Sequence, residues 1–137
     1  MNLELNTNNS PESLVTQHAV AHLQKICHEA SANAGWWTNK DGTFVLDNPL
    51  AVSNKLCLIH GEISEAMEAD RKDKMDDHLP HRKGIEGELS DAIIRIFDLA
   101  GALKLDIAGT LVEKMEYNAK RVDHKKEARE AVGGKKY

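Results

Sequence analysis

The chain has 137 residues and a mass of 15.2 kDa, the length of one domain. With 41% hydrophobic and 29% charged residues it reads as globular, able to bury a core without disulfides or a structural metal. A net charge of −4 argues against a whole-chain nucleic-acid binder, and no apolar run is long enough to cross a membrane.

In chain order, residues 1–10 are polar and Asn-rich. They lack the basic and apolar regions of a signal peptide, so a flexible N-terminus and a cytoplasmic location are expected. Ser10 before Pro11 is a good N-cap, and Val15, Ala19, Leu23, Ile26, Cys27 and Ala30 recur at helical spacing. This predicts a first helix from Pro11 to about Ala32. A polar loop around Gly35-Trp36-Trp37 follows. Asn48 before Pro49 predicts the start of a second helix, whose stripe is Val52, Leu56, Ile59, Ile63 and Met67. A third helix is expected from about Arg82 to Lys104, with Leu89, Ile93, Ile96, Ala100 and Leu103 as its stripe. Asp106 is a candidate N-cap for a fourth, carrying Ile107, Leu111 and Met115. Thr43-Phe44-Val45-Leu46 is the one short β-like run. The expected fold class is all-α, a bundle of four to five helices. The expected layout is a single helical catalytic domain over 11–121 with a basic tail over 122–137. Cys27 and Cys57 read as two buried free thiols.

Two helices combine acids at i, i+3 with an apolar stripe: Glu62-Ile63-Ser64-Glu65 and Glu88-Leu89-Ser90-Asp91. Residues three apart lie about 60° from each other around a helix, so each pair shares a face. If the two stripes pack together, four carboxylates meet at the edge of the core. Such crowding is repulsive unless a cation neutralises it. Mg²⁺ suits oxygen ligands and is commonly completed by substrate phosphates; Mn²⁺ is expected to substitute. Asp98, seven residues after Asp91, adds to the same face. The competing reading is a solvated acidic surface. A di-iron bundle is disfavoured, because no glutamate has His at i+3.

Glu62-x-x-Glu65, a gap of 22 residues, then Glu88-x-x-Asp91 resembles the all-α nucleoside triphosphate pyrophosphohydrolases, specifically the MazG-like group in its short, phage-type form. The resemblance extends over Leu58–Ala69, over Glu88–Ala100, and to Lys114-Met115-Glu116-Tyr117-Asn118-x-x-Arg121; it covers roughly Pro49 to Tyr137. It implies cleavage of a (d)NTP between the α and β phosphates, giving monophosphate and pyrophosphate, with dGTP or GTP favoured. Metal ligands would be Glu62, Glu65, Glu88 and Asp91, with Glu65, and after it Glu62, as the catalytic carboxylate. Lys114, Asn118 and Arg121 would contact phosphates; the alternative is a surface helix end carrying favourable cations. Trp36 or Trp37 would stack on the base, one of them packing and the other stacking. An all-α dUTPase, a phosphoribosyl-ATP pyrophosphohydrolase and a non-enzymatic helical interaction module are the alternatives. A homodimer or homotetramer is implied, with the first and fourth helices as the candidate interface.

Arg95, one turn after Asp91, is expected to pair with Asp91 or Asp98, with substrate contact as the lesser reading. Residues 120–137 hold seven Lys/Arg against three Asp/Glu, whereas 62–91 hold ten acids against five bases. The tail is therefore read either as a strap over the acidic site or as a solvated end. His60 is expected to be packed or to sit behind the ligands.

Overall fold

The computed structural model describes residues 10–137; the expected flexible N-terminus lies almost wholly outside the described residues. Among the described residues all regular structure is helical: α1 (Pro11–Asn33), α2 (Ala51–Arg71), α3 (Gly84–Ala102), α4 (Ile107–Lys120) and the short α5 (Lys126–Glu130). Short 3₁₀ turns occupy Val45–Asp47 and Val122–His124. The chain divides into two compact units. One holds residues 10–21 together with Asp106–Tyr137; the other holds His22–Leu105.

Local chemistry accounts for the helix boundaries. Ser10 Oγ accepts the Ser13 N–H at 3.2 Å, capping α1. Asp106 Oδ1 accepts the Gly109 N–H at 2.8 Å, capping α4. Asn48 caps something smaller than expected: its side chain accepts the Leu50 N–H at 2.9 Å, in a turn that precedes α2. Helix α3 starts two residues later than Arg82, and the Glu86 carboxylate reaches back to the Lys83 N–H at 2.9 Å. The β-like run makes only an isolated bridge, Thr38 with Phe44, before turning into 3₁₀ structure. In the unit of α4, the residues after Arg121 form the second 3₁₀ turn and α5.

In the unit of His22–Leu105, α2 and α3 pack against each other through small side chains. The buried residues on them are Ala51, Ala66, Ala69, Gly84, Ala92, Leu99 and Ala100, with Glu62 and Asp98. Gly84 is needed for this approach, since a Cβ there would stand 2.9 Å from Ala69 Cβ and 3.1 Å from the Lys74 carbonyl oxygen. The large apolar stripes do not pack together as the sequence suggested. Leu56, Ile63 and Met67 on α2, and Leu89, Ile93 and Ile96 on α3, remain between 41% and 59% exposed. Alanines allow two helix axes to come close, which turns the bulkier residues outward. The thiols also differ from expectation: both are free, but Cys57 is exposed and Cys27 only half-buried.

Helix α1 meets α3 and the turn just after it along an antiparallel line of three contacts. Gln24 Nε2 donates to the Leu105 carbonyl at 2.8 Å. His28 sits over Gly101, where a Cβ would fall 2.5 Å from His28 Cβ. Ser31 Oγ donates to Asp98 Oδ2 at 2.8 Å. No helix is long and apolar enough among the described residues to cross a membrane.

Candidate metal centre and adjoining cleft

Glu62 and Glu65 project from one turn of α2, and Glu88 from the first turns of α3. One carboxylate oxygen from each lies within 4.8 Å of the other two. Glu62 is buried, Glu88 half-buried and Glu65 exposed. Burial pushes the Glu88 carboxyl above its ordinary range, and the charges of Glu65, Glu62 and Asp91 push it the same way. This is the electrostatic signature of carboxylates held together without enough positive charge. Asp91, one turn beyond Glu88, stands outside the three-residue set and lines the neighbouring cleft.

Among the described residues one cation is paired with the cluster. Arg95 Nε donates to Glu62 Oε1, across from α3 to α2. The expected partners, Asp91 and Asp98, are on its own helix, and neither is the one it takes. Asp98 is as buried as Glu62 but already accepts from Ser31 and Trp37, so Glu62 is the buried carboxylate that needs a counter-charge.

Asp98 does not join the acidic cluster either. Its buried carboxylate is the hub of a separate network. Oδ1 is 2.9 Å from His28 Nδ1 and accepts the Trp37 indole N–H at 2.7 Å; Oδ2 accepts the Ser31 hydroxyl. Seven residues make nearly two turns, so Asp91 and Asp98 do share a side of α3. They are about 10.5 Å apart along the axis, however, and that places Asp98 against α1 and the Trp loop.

The two tryptophans separate cleanly. Trp37 is 9% exposed, with its indole N–H on Asp98, its ring edge-on to His28 at 5.7 Å, and Lys55 Nζ 4.4 Å from its ring centroid. Trp36 is 68% exposed and lines a cleft of about 900 Å³. The α1 side and the Trp loop contribute Ile26, Cys27 and Trp36 to that cleft, and α2 and α3 contribute Lys55, Asp91, Arg95 and Asp98. Burial raises the Cys27 thiol, and Asp98 adds to the effect, so this cysteine is a poor nucleophile. His60 is exposed on α2.

In the other unit, Lys114 and Asn118 lie on α4, and Arg121 lies one residue past its end. Lys114 Nζ is 5.4 Å and the Arg121 guanidinium 5.7 Å from the Tyr117 ring. Arg121 makes a two-pronged pair with Asp123, Nε to Oδ1 at 3.0 Å and Nη2 to Oδ2 at 2.6 Å, and Lys135 adds a third bond at 2.8 Å. Those cations hold the Asp123 carboxyl far below its ordinary range. Sequence reasoning missed Lys55, His28 and Asp123. Lys55 was open to discovery, seven residues before Glu62 on the same helical face. His28 and Asp123 carried no local signal.

No family model, curated protein or solved structure matches the chain.

Proposed function

We propose that this protein is a Mg²⁺-dependent nucleoside triphosphate pyrophosphohydrolase that releases monophosphate and pyrophosphate. The observation that carries the reading is the meeting of Glu62, Glu65 and Glu88 from two helices within 4.8 Å, beside a cleft with an exposed tryptophan. The donor set suits a hard divalent ion, being all carboxylate oxygen with no thiol or imidazole. Asp91, close enough to raise Glu88, is the fourth candidate ligand. Bound Mg²⁺ would offset phosphate charge and lower the pKa of an attacking water.

The chain's own groups divide the remaining work. Glu65 is exposed and makes no ion pair among the described residues, so it is the carboxylate assigned to take the water's proton. Trp36 offers a face to a base. Lys114, Asn118 and Arg121 are the phosphate contacts carried by the MazG-like resemblance. Arg121 presents to Asp123 the same fork that it would present to a phosphate, so substrate must replace that carboxylate. The working form is a homo-oligomer. In place of the first and fourth helices, we assign its interface to the outward stripes of α2 and α3, because these stripes are exposed and two such helix pairs meeting stripe to stripe would make a four-helix bundle.

The test is a panel of NTPs and dNTPs with Mg²⁺ or Mn²⁺ and resolved products. Monophosphate with pyrophosphate, dependent on metal and lost in Glu65→Gln, is expected, with guanine nucleotides favoured. Diphosphate with phosphate would place the scissile bond elsewhere, and silence across the panel would overturn the reading.

A further inference from the structure

Lys55 is a cation in no ion pair among the described residues, set on the ring whose indole N–H is bonded to Asp98. It is half-buried on α2, lines the cleft, and makes no hydrogen bond among the described residues. Its one defined contact is the face of Trp37. That ring is itself fixed, since its indole N–H is held by buried Asp98 and its edge rests on His28. A long, flexible side chain is thereby given a set direction, with three donors and no acceptor at its tip. A ligand that enters the cleft and displaces water from this ammonium must accept its protons in turn, so the side chain is placed to meet an acceptor group on that ligand.

The position says what kind of acceptor. Lys55 is seven residues before Glu62, on nearly the same face of α2 and about 10.5 Å along its axis. Asp91 and Arg95 join the cleft to the carboxylates, through Glu88 and Glu62, and Lys55 and Trp36 line the same cleft, Lys55 over the Trp37 ring that is bonded to Asp98. A nucleotide with its phosphates at the carboxylates extends over that distance and brings its base edge to Lys55. We propose that Lys55 is a specificity-determining residue that reads a carbonyl oxygen on the base edge, selecting 6-keto purines and keto pyrimidines over adenine. This rests on the nucleotide reading above and deepens it. A donor-only tip suits the O6 of a keto purine or the O4 of a pyrimidine, and it opposes the exocyclic amine of adenine. Trp36 supplies stacking that any base accepts, so discrimination falls to the lysine.

The experiment compares inosine monophosphate with adenosine monophosphate. Both carry the same sugar and phosphate, and they differ at the 6-position of the purine. Binding is followed by calorimetry and by quenching of tryptophan fluorescence, with Mg²⁺ present, in the native protein, Lys55→Met and Lys55→Arg. Lys55→Met keeps an unbranched stem over Trp37 and removes the charge, and thermal melts verify that it folds. The native protein is expected to prefer inosine monophosphate by about tenfold or more, the scale of one hydrogen bond to a charged group. Lys55→Met should lose that preference through weaker inosine monophosphate binding, with adenosine monophosphate nearly unchanged. Lys55→Arg should retain most of it.

Equal losses for both nucleotides would show that the lysine meets the phosphate, and a preference that survives in Lys55→Met would show that it reads nothing. Either result overturns the proposal. If neither nucleotide binds while the panel assay still releases pyrophosphate, base reading by Lys55 falls and the hydrolase reading stands. If both experiments are silent, both fall.

Discussion

Removing the Asp98 carboxylate tests how the wall of the cleft is held. Three side chains converge on it: the Trp37 indole N–H, the Ser31 hydroxyl and His28 Nδ1. In Asp98→Ala, Ser31 can rotate toward other partners, and His28, with 29% of its side chain exposed, can recover water. Trp37 cannot, because it is buried and its N–H has a fixed direction. An unpaired buried donor costs about 1–3 kcal/mol, and each weakened bond about 0.5–1 kcal/mol more. The expected loss is therefore about 3 kcal/mol. In a chain of this size that lowers the melting temperature by about 10 °C. Asp98→Asn keeps an oxygen for Trp37 and offers Ser31 a donor, so it should lose only about 1 kcal/mol. Urea unfolding followed by circular dichroism, with tryptophan fluorescence as a second probe, measures both. If the alanine variant stays within about 1 kcal/mol of the native protein, or the two variants are equally damaged, the hub does not hold the cleft wall as argued.

Further outcomes follow from the same geometry. Glu88 is raised in the folded chain, so the fold binds its proton more tightly than the unfolded chain does. That contribution is present below the ordinary carboxylate range and lost as pH rises through the folded value. A divalent ion must expel the proton, so Mg²⁺ should raise the melting temperature more at about pH 8 than at about pH 5; an equal shift at both would contradict the ligand role. Gly101→Ala gains helix propensity of about 1 kcal/mol but places a methyl against His28, and a net loss of about 1–2 kcal/mol is expected in chemical denaturation. Ile93→Lys should leave the helical circular dichroism spectrum intact and convert the oligomer to monomer in analytical ultracentrifugation, since Ile93 is 52% exposed. Loss of helix in that variant would place Ile93 in the core of the chain itself.

The sequence exposed the parts of this structure that depend on near neighbours. Ser10 and Asp106 are legible as caps because a cap bonds within three residues. The convergence of Glu62, Glu65 and Glu88 is legible because i, i+3 spacing puts acids beside the seam between two consecutive helices. Which face forms that seam is not legible. Hydrophobic periodicity weights Ile and Leu above Ala, and here the alanines make the contact while Ile63 and Ile93 turn outward. Partners far apart in the chain are hidden for another reason. Arg95 chooses Glu62, 33 residues away, and Asp98 chooses donors 61 to 70 residues away. Helical spacing around Arg95 or Asp98 contains nothing that favours those partners over nearer acids or bases.

The line of contacts between α1 and α3 has one more consequence. Gln24, His28 and Ser31 descend α1 as Leu105, Gly101 and Asp98 ascend the opposite side, so the three contacts share one register. A single residue added or removed between positions 24 and 31 turns everything beyond it by about 100° and moves it about 1.5 Å. No compensating slide restores all three, because the gap at Gly101 accepts a side chain at only one height. The segment should therefore tolerate many point substitutions yet almost no insertion or deletion, the reverse of the exposed turn at residues 39–42 beyond Trp37, where extra length can bulge into solvent.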